Sequence, residues 1–129
     1  MMPPDRGVRP VLSRWLRLLA MIGLAGLAVA ALLPDRDQLP RSPFPGQFEH
    51  FLAYAAAAAL AGFAFAGQLR LGALLFLIVA YAGLLEFAQR WAPDRSASVL
   101  DFTASAAGAF AGIAFCALVL RLVKAQRRR

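Results

Sequence analysis

The sequence predicts an all-α fold, a transmembrane bundle of four helices with both termini in the cytoplasm. Three observations predict it. Of 129 residues, 60% are hydrophobic and only 16% charged. The apolar residues fall into four runs of roughly 18 or more, a length better explained by lipid than by the core of a small soluble domain. The basic residues, 14 in all, are concentrated at the ends of those runs that share one side.

Residues 1–14 are polar and basic, with Pro3, Pro4, Gly7 and Pro10, and read as a loose cytoplasmic tail. The first helix is expected at about 15–33, apolar except for Arg17 and ended by Pro34. At ~1.5 Å per residue it covers roughly 28 Å, close to the ~30 Å hydrocarbon core of a bilayer. A cleaved signal peptide is the rival reading, since a basic flank, an apolar core and Ala28-Val29-Ala30 would suit one. The core exceeds the ~7–15 residues of a signal sequence, which favours a retained helix.

Pro34, Pro40, Pro43 and Pro45 exclude a helix from the polar loop 34–47. The second helix is expected at 48–67, with Gln68, Leu69 and Arg70 as a tight turn. The third, at 71–91, is interrupted only by Glu86, Gln89 and Arg90. A loop with Pro93 leads to the fourth, at 99–122, and residues 123–129 form a basic tail. Residues 15–122 thus make one membrane domain.

Charge gives this bundle a direction. With the N-terminus inside, the inner segments hold Arg6, Arg9, Arg14, Arg17, Arg70, Arg121, Lys124, Arg127, Arg128 and Arg129 against Asp5. The outer segments hold Arg36, Arg41, Arg90 and Arg95 against Asp35, Asp37, Glu49, Glu86, Asp94 and Asp101. Short cytoplasmic loops favour Lys and Arg, so the basic side is the inner one. The positive balance is therefore a topology signal, suited to anionic lipid on the cytoplasmic leaflet rather than to nucleic acid.

Small residues mark the packing faces. Asp101, Ser105, Gly108 and Gly112 share one face of the fourth helix, and Ala55, Ala59, Gly62 and Ala66 form a similar stripe on the second. We read both as faces packed within the chain rather than between copies. Phe51, Phe63, Phe65, Phe76 and Phe110 then face lipid or fill the remaining space. Cys116, the single cysteine, has no partner for an internal disulfide and reads as a small core hydrophobe.

The unexplained polar groups fall on the outer side. They are His50 and Tyr54 at the start of the second helix, Glu86 and Gln89 near the end of the third, and Arg95, Ser96 and Asp101 before and at the start of the fourth. An ionisable group within a span costs roughly 2.5–3.5 kcal/mol on insertion scales and needs a partner or a purpose. Each group also has a plain explanation. Glu86 and Arg90 are spaced i to i+4 as an ion pair. Ser98-Val99-Leu100-Asp101 fits a capping box. His50 and Tyr54 are interfacial residue types, and Arg95 can balance Asp94. A single histidine excludes a histidine-rich metal site, and His50 with Glu86 and Asp101 has no ligand spacing, so no metal or cofactor is expected.

These residues resemble the VanZ-like family of small bacterial membrane proteins. Glu86-Phe87-Ala88-Gln89, Pro93-Asp94-Arg95-Ser96-Ala97-Ser98, Asp101 and Gly108 look like the family's E-x-x-Q, P-x-R-x-x-S and D followed by a small-residue helix. His50-Phe51-Leu52-Ala53-Tyr54 looks like its H-F-x-x-Y. The resemblance runs from the second helix into the fourth. Two positions depart from it: Gly46 and Gln47 stand where the family has an Asp-Lys pair, and Ser105 stands where it has Asn. If the pair takes part in chemistry, this chain lacks it or uses Glu49 instead. The family is named for a protein associated with resistance to teicoplanin, so the resemblance implies a cell-envelope role that can extend to glycopeptide tolerance.

Two functional readings follow, beside a purely structural role. In the first, the protein recognises an anionic lipid or a lipid-linked cell-wall component at the outer leaflet. Arg95 binds the anion, Glu86, Gln89, Ser96 and Asp101 surround it, and His50 and Tyr54 line the same recess. In the second it is a membrane enzyme acting on a lipid, with Glu86 or Asp101 as general base helped by His50. No nucleophile elbow, H-E-x-x-H or P-loop specifies a reaction. Ligand identity and oligomeric state are written in none of these motifs. A retained first helix predicts that the N-terminal peptide of the mature protein contains Arg9 and Trp15; N-terminal sequencing of membrane-extracted protein that starts beyond Ala30 would show cleavage instead.

Overall fold

The computed structural model describes residues 8–33, 45–93 and 96–128, with side chains of the first helix from Ser13 onward. It is all-helical among those residues: α1 (Val8–Leu32), α2 (Gly46–Ala64), α3 (Leu71–Ala88) with a single 3-10 turn at Gln89–Trp91, and α4 (Val99–Gln126). Three of the four, all but α2, are long and apolar enough to cross a membrane. The sequence leads one to expect four such helices. α2 differs because Gln47, Glu49 and His50 fall inside its first turns and alanine, only weakly apolar, makes up much of the rest.

The helix ends depart from expectation for identifiable reasons. α1 begins at Val8 instead of Trp15, running through Pro10. Proline is tolerated in the first turn, where its missing N–H would have had no intrahelical partner. α2 takes in Gly46 and Gln47, with Pro45 as its N-cap, and stops at Ala64 rather than 67. Gly67 then adopts φ +84°, a left-handed conformation open to glycine, and turns the chain toward α3. α4 continues past Leu122 to Gln126, so most of the expected tail is helical. Arg121 and Lys124 are good helix formers, and positive charge suits a helix C-terminus.

The most extensive interface joins α2 and α4. These helices run parallel, since Gln47 meets Asp101, Phe51 meets Gly108, Ala55 meets Gly112 and Gly62 meets Cys116. The approach is set by glycine. A Cβ on Gly108 would collide with the Phe51 carbonyl oxygen, and one on Gly112 with that of Ala55. A Cβ on Gly62 would lie 2.8 Å from the Cys116 sulfur. Small residues permit this backbone contact, and in lipid such packing, not a hydrophobic effect, drives helix association. Ala58, Ala61, Ala109, Ile113 and Cys116 are buried in and around the seam.

α1 packs on α2 and more lightly on α3, while α3 packs on α4. Two polar contacts fix α1. The Arg17 Nε reaches the Ala64 carbonyl at 3.4 Å, where a cation caps the C-terminus of α2. The Tyr81 hydroxyl donates to the Leu24 carbonyl at 2.7 Å and ties α3 to α1. Many apolar side chains outside this core point outward: Trp15, Ile22, Phe76, Leu84 and Phe110 are all exposed, as a lipid-facing surface requires. Phe63 stacks edge-on against Phe115.

Replacing Gly108 with leucine is expected to pry α2 from α4, lowering stability by about 1–3 kcal/mol or preventing folding. Gly26→Ala, with nothing within 4 Å, should leave stability equal or slightly raised. Unfolding of the two detergent-solubilised variants, followed by circular dichroism, compares them directly.

Candidate functional site

The start of α4 is the organising point. Ser98 is its N-cap, and its hydroxyl accepts from the Asp101 N–H at 3.3 Å. In a complete capping box the N3 carboxylate would reach back to the N-cap N–H. Here that N–H donates instead to Glu86 Oε1, which arrives from the last turns of α3. A helix terminus leaves backbone donors without intrahelical partners, and a carboxylate from a neighbour satisfies one of them with charge assistance.

This substitution releases the Asp101 side chain to face α2. Its Oδ1 accepts from Gln47 Nε2 at 3.2 Å, and its Oδ2 lies 4.0 Å from His50 Nε2. On the other edge of the imidazole, His50 Nδ1 lies 3.2 Å from the Ser105 hydroxyl. In the tautomer protonated at Nε2, Ser105 donates to Nδ1 and the Nε2 hydrogen is on the Asp101 side. His50 and Asp101 remain partly open, their side chains 22% and 16% exposed, whereas Ser105 is only 2% exposed. Ser105 therefore orients the imidazole but is not presented as a nucleophile.

Most of the sequence-derived candidates are brought to this end. Glu86, Asp101 and His50 gather around the α4 start, and Tyr54, one turn below His50, is buried. Gln89, the first residue of the 3-10 turn, is buried. Ser96 is exposed ahead of the cap. Arg95 lies outside the described residues. Two plain explanations are corrected. Glu86 is not committed to Arg90, whose guanidinium instead lies 5.2 Å from the centre of the Phe87 ring. Asp101 does not merely close a helix, because its backbone does the capping while its carboxylate binds α2. Gln47 stands out in the sequence only as a departure from a pattern, and Ser105 as such a departure on the packing face of the fourth helix, yet both contact the site. Among the described residues, no buried side-chain nitrogen or oxygen lacks a partner, and no three His, Cys, Asp or Glu residues converge as metal ligands.

Beside the cap, an open recess of about 300 Å³ lies between the end of α3 and the start of α4. Phe87, Val99 and Phe102 wall it with apolar surface, Gly83 leaves room at one end, and Glu86, Ser98 and Arg90 supply its polar groups. Phe87 also packs edge-on against Trp91, which is 71% exposed.

Fold and site together define a helical membrane protein with a polar cluster at one end of its bundle. Comparison of the chain with protein-family models, curated proteins and solved structures finds no match.

A double-mutant cycle on Gln47→Ala and Asp101→Ala should give a coupling of about 0.5–1.5 kcal/mol, the worth of one hydrogen bond. Glu86→Leu, which strands the Ser98 N–H, should cost about 1–3 kcal/mol, and more than Glu86→Gln, which keeps an acceptor oxygen. Equal losses for Glu86→Leu and Glu86→Gln in detergent unfolding would contradict the capping role.

Proposed function

We propose that this chain is a bacterial cell-envelope protein of the VanZ-like type, residing in the cell membrane. Its four helices cross the bilayer, both termini lie in the cytoplasm, and its outward end recognises an anionic lipid or lipid-linked cell-wall component. The crossing of α2 is supported by its packing along α4, with α1 on another side, so that protein rather than lipid covers much of its surface. The orientation is supported by charge. Arg14, Arg17, Arg70, Arg121, Lys124, Arg127 and Arg128 share one end, while Glu49, Glu86 and Asp101 belong to the other.

The observation that carries the binding reading is the mixed lining of the recess. Apolar walls suit an acyl or isoprenoid chain, and the exposed Arg90 beside them suits a phosphate, which a planar guanidinium can bind bidentately. Arg95, three residues before the Ser98 cap in the sequence, is a further basic residue of the outer segments. Glutamate 86 is engaged by the Ser98 amide, which limits its competition for the arginines. Through the family resemblance, the proposal extends to glycopeptide tolerance.

A second reading, a lipid-acting enzyme, is favoured by the orientation of His50 between Ser105 and Asp101. In it Asp101 or Glu86 is the general base and His50 assists. Turnover of a labelled lipid by purified protein, lost in His50→Ala and Glu86→Gln, would replace the binding reading with this one.

Trp91 reports on the recess. In a Trp15→Phe protein in phosphatidylcholine vesicles, brominated phosphatidylglycerol should quench Trp91 at lower mole fraction than brominated phosphatidylcholine. Arg90→Ala and Arg95→Ala should remove that preference with helix content unchanged. Relief of quenching by a polyprenyl phosphate would point to the lipid-linked component; equal quenching by both brominated lipids would sink the proposal.

A further inference from the structure

The opposite end of the bundle carries a second feature. α2 ends at Ala64, level with the Arg17 side chain on α1 and just beyond the Gly62–Cys116 contact on α4. α1 extends back from Arg17 to Val8, and α4 extends on from Cys116 to Gln126. At ~1.5 Å per residue, each helix projects roughly 12–14 Å past the end of α2. The 28 residues of α4 span roughly 42 Å, which matches the ~40–45 Å of a bilayer including its headgroup layers rather than the ~30 Å hydrocarbon core alone. Its last turns therefore stand at headgroup level.

Among the described residues, these projections carry basic side chains and no acidic ones. Arg14 on α1, Arg70 in the α2–α3 turn, and Arg121, Lys124, Arg127 and Arg128 on α4 are all exposed. Every acid among the described residues, Glu49, Glu86 and Asp101, belongs to the other end. The charges are also spread out. α1 and α4 each pack on α2 and α3, which puts them at opposite corners of the bundle. A groove that tracks a nucleic-acid backbone, or a patch that docks one acidic protein, would concentrate charge on a single face. Cations at separate corners, at headgroup depth and beside exposed apolar side chains such as Trp15, Leu18, Leu122 and Val123, face the surrounding lipid instead.

We infer that this basic perimeter is a binding surface for anionic phospholipid headgroups, which it gathers into the lipid shell at that end from both the α1 and α4 corners. The ligand is a phosphate-bearing headgroup, attracted at each corner by the exposed cations there. The site is separate from the recess at the other end, which Trp91 reports.

The test uses full-length protein with one tryptophan at a time. A Trp91→Phe protein keeps Trp15, next to Arg14 and 60% exposed. A Leu122→Trp protein lacking both native tryptophans reports the α4 corner. In vesicles of mixed phosphatidylcholine and phosphatidylglycerol, quenching by brominated phosphatidylglycerol should exceed that by brominated phosphatidylcholine at equal mole fraction. The excess corresponds to a local enrichment of roughly two- to fivefold, as expected from about one basic residue's worth of surface attraction. Raising salt to about 1 M, where the Debye length is ~3 Å, should shrink the excess. Arg121→Gln, Lys124→Gln, Arg127→Gln and Arg128→Gln combined should abolish it at the α4 corner, and Arg14→Gln should reduce it at the α1 corner. Equal quenching by the two lipids at either corner overturns the inference, as does a preference that survives removal of the charges.

Discussion

The contact between α2 and α4 is the constraint on which the rest of the structure depends. Two parallel helices can approach until a backbone carbonyl lies over a Cα only where no side chain intervenes, and Gly108 and Gly112 provide that gap opposite Phe51 and Ala55. Their Cα–H groups face those carbonyls, in contacts worth about 0.5–1 kcal/mol each. In lipid there is little hydrophobic gain from bringing two apolar helices together, so close packing of this kind must supply the association. It also fixes register. Once Gly108 sits on Phe51 and Gly112 on Ala55, Asp101 and Ser105 are carried to Gln47 and His50. The polar site is thus a consequence of the glycine spacing two turns below it.

Its other half comes from an exchange of capping partners. Had Asp101 closed its own capping box, its carboxylate would have been spent on the Ser98 N–H. Glu86 takes that role from α3, and the start of α4 is held by three helices at once: α3 through Glu86, α2 through Gln47 and His50, and α4 itself through Ser98. Two carboxylates at the α4 N-terminus, Asp101 from its own first turn and Glu86 from α3, are also favourably placed against its macrodipole. The arrangement joins the recess to the imidazole through a short path, Glu86 to Ser98 to Asp101 to His50.

The sequence displayed the features that are local and hid those that are not. Apolar runs and prolines revealed helices at the right places, Ser98 was recognisable as a cap from its spacing to Asp101, and the small-residue stripes could be read as packing faces. Within one helix, the i to i+4 spacing of Glu86 and Arg90 suggested a pair. The actual partner of Glu86 lies across a loop on another helix, and no single-chain periodicity encodes it. Gln47 illustrates the same limit: it looked like the loss of an expected pair, whereas the parallel register of α2 and α4 makes it a ligand of Asp101. Pro10 and Lys124 read as tail because proline and charge are commonly disruptive, but their positions in a first and a last turn are those where a helix accepts them.

Charge and packing meet most clearly in α2. Its first turns carry Gln47, Glu49 and His50, and its middle is alanine, so by itself it offers lipid little and polar groups much. The protein offsets both deficits. α4 covers the alanine face with glycine and alanine of its own, Asp101 and Ser105 receive the polar side chains at one end, and Arg17 caps the carbonyls at the other. Each feature that makes α2 a poor membrane span alone makes it a good central helix in company. A bundle built around such a helix can keep titratable groups at its end without exposing them to hydrocarbon, which is the physical requirement for placing a polar site at the edge of a membrane.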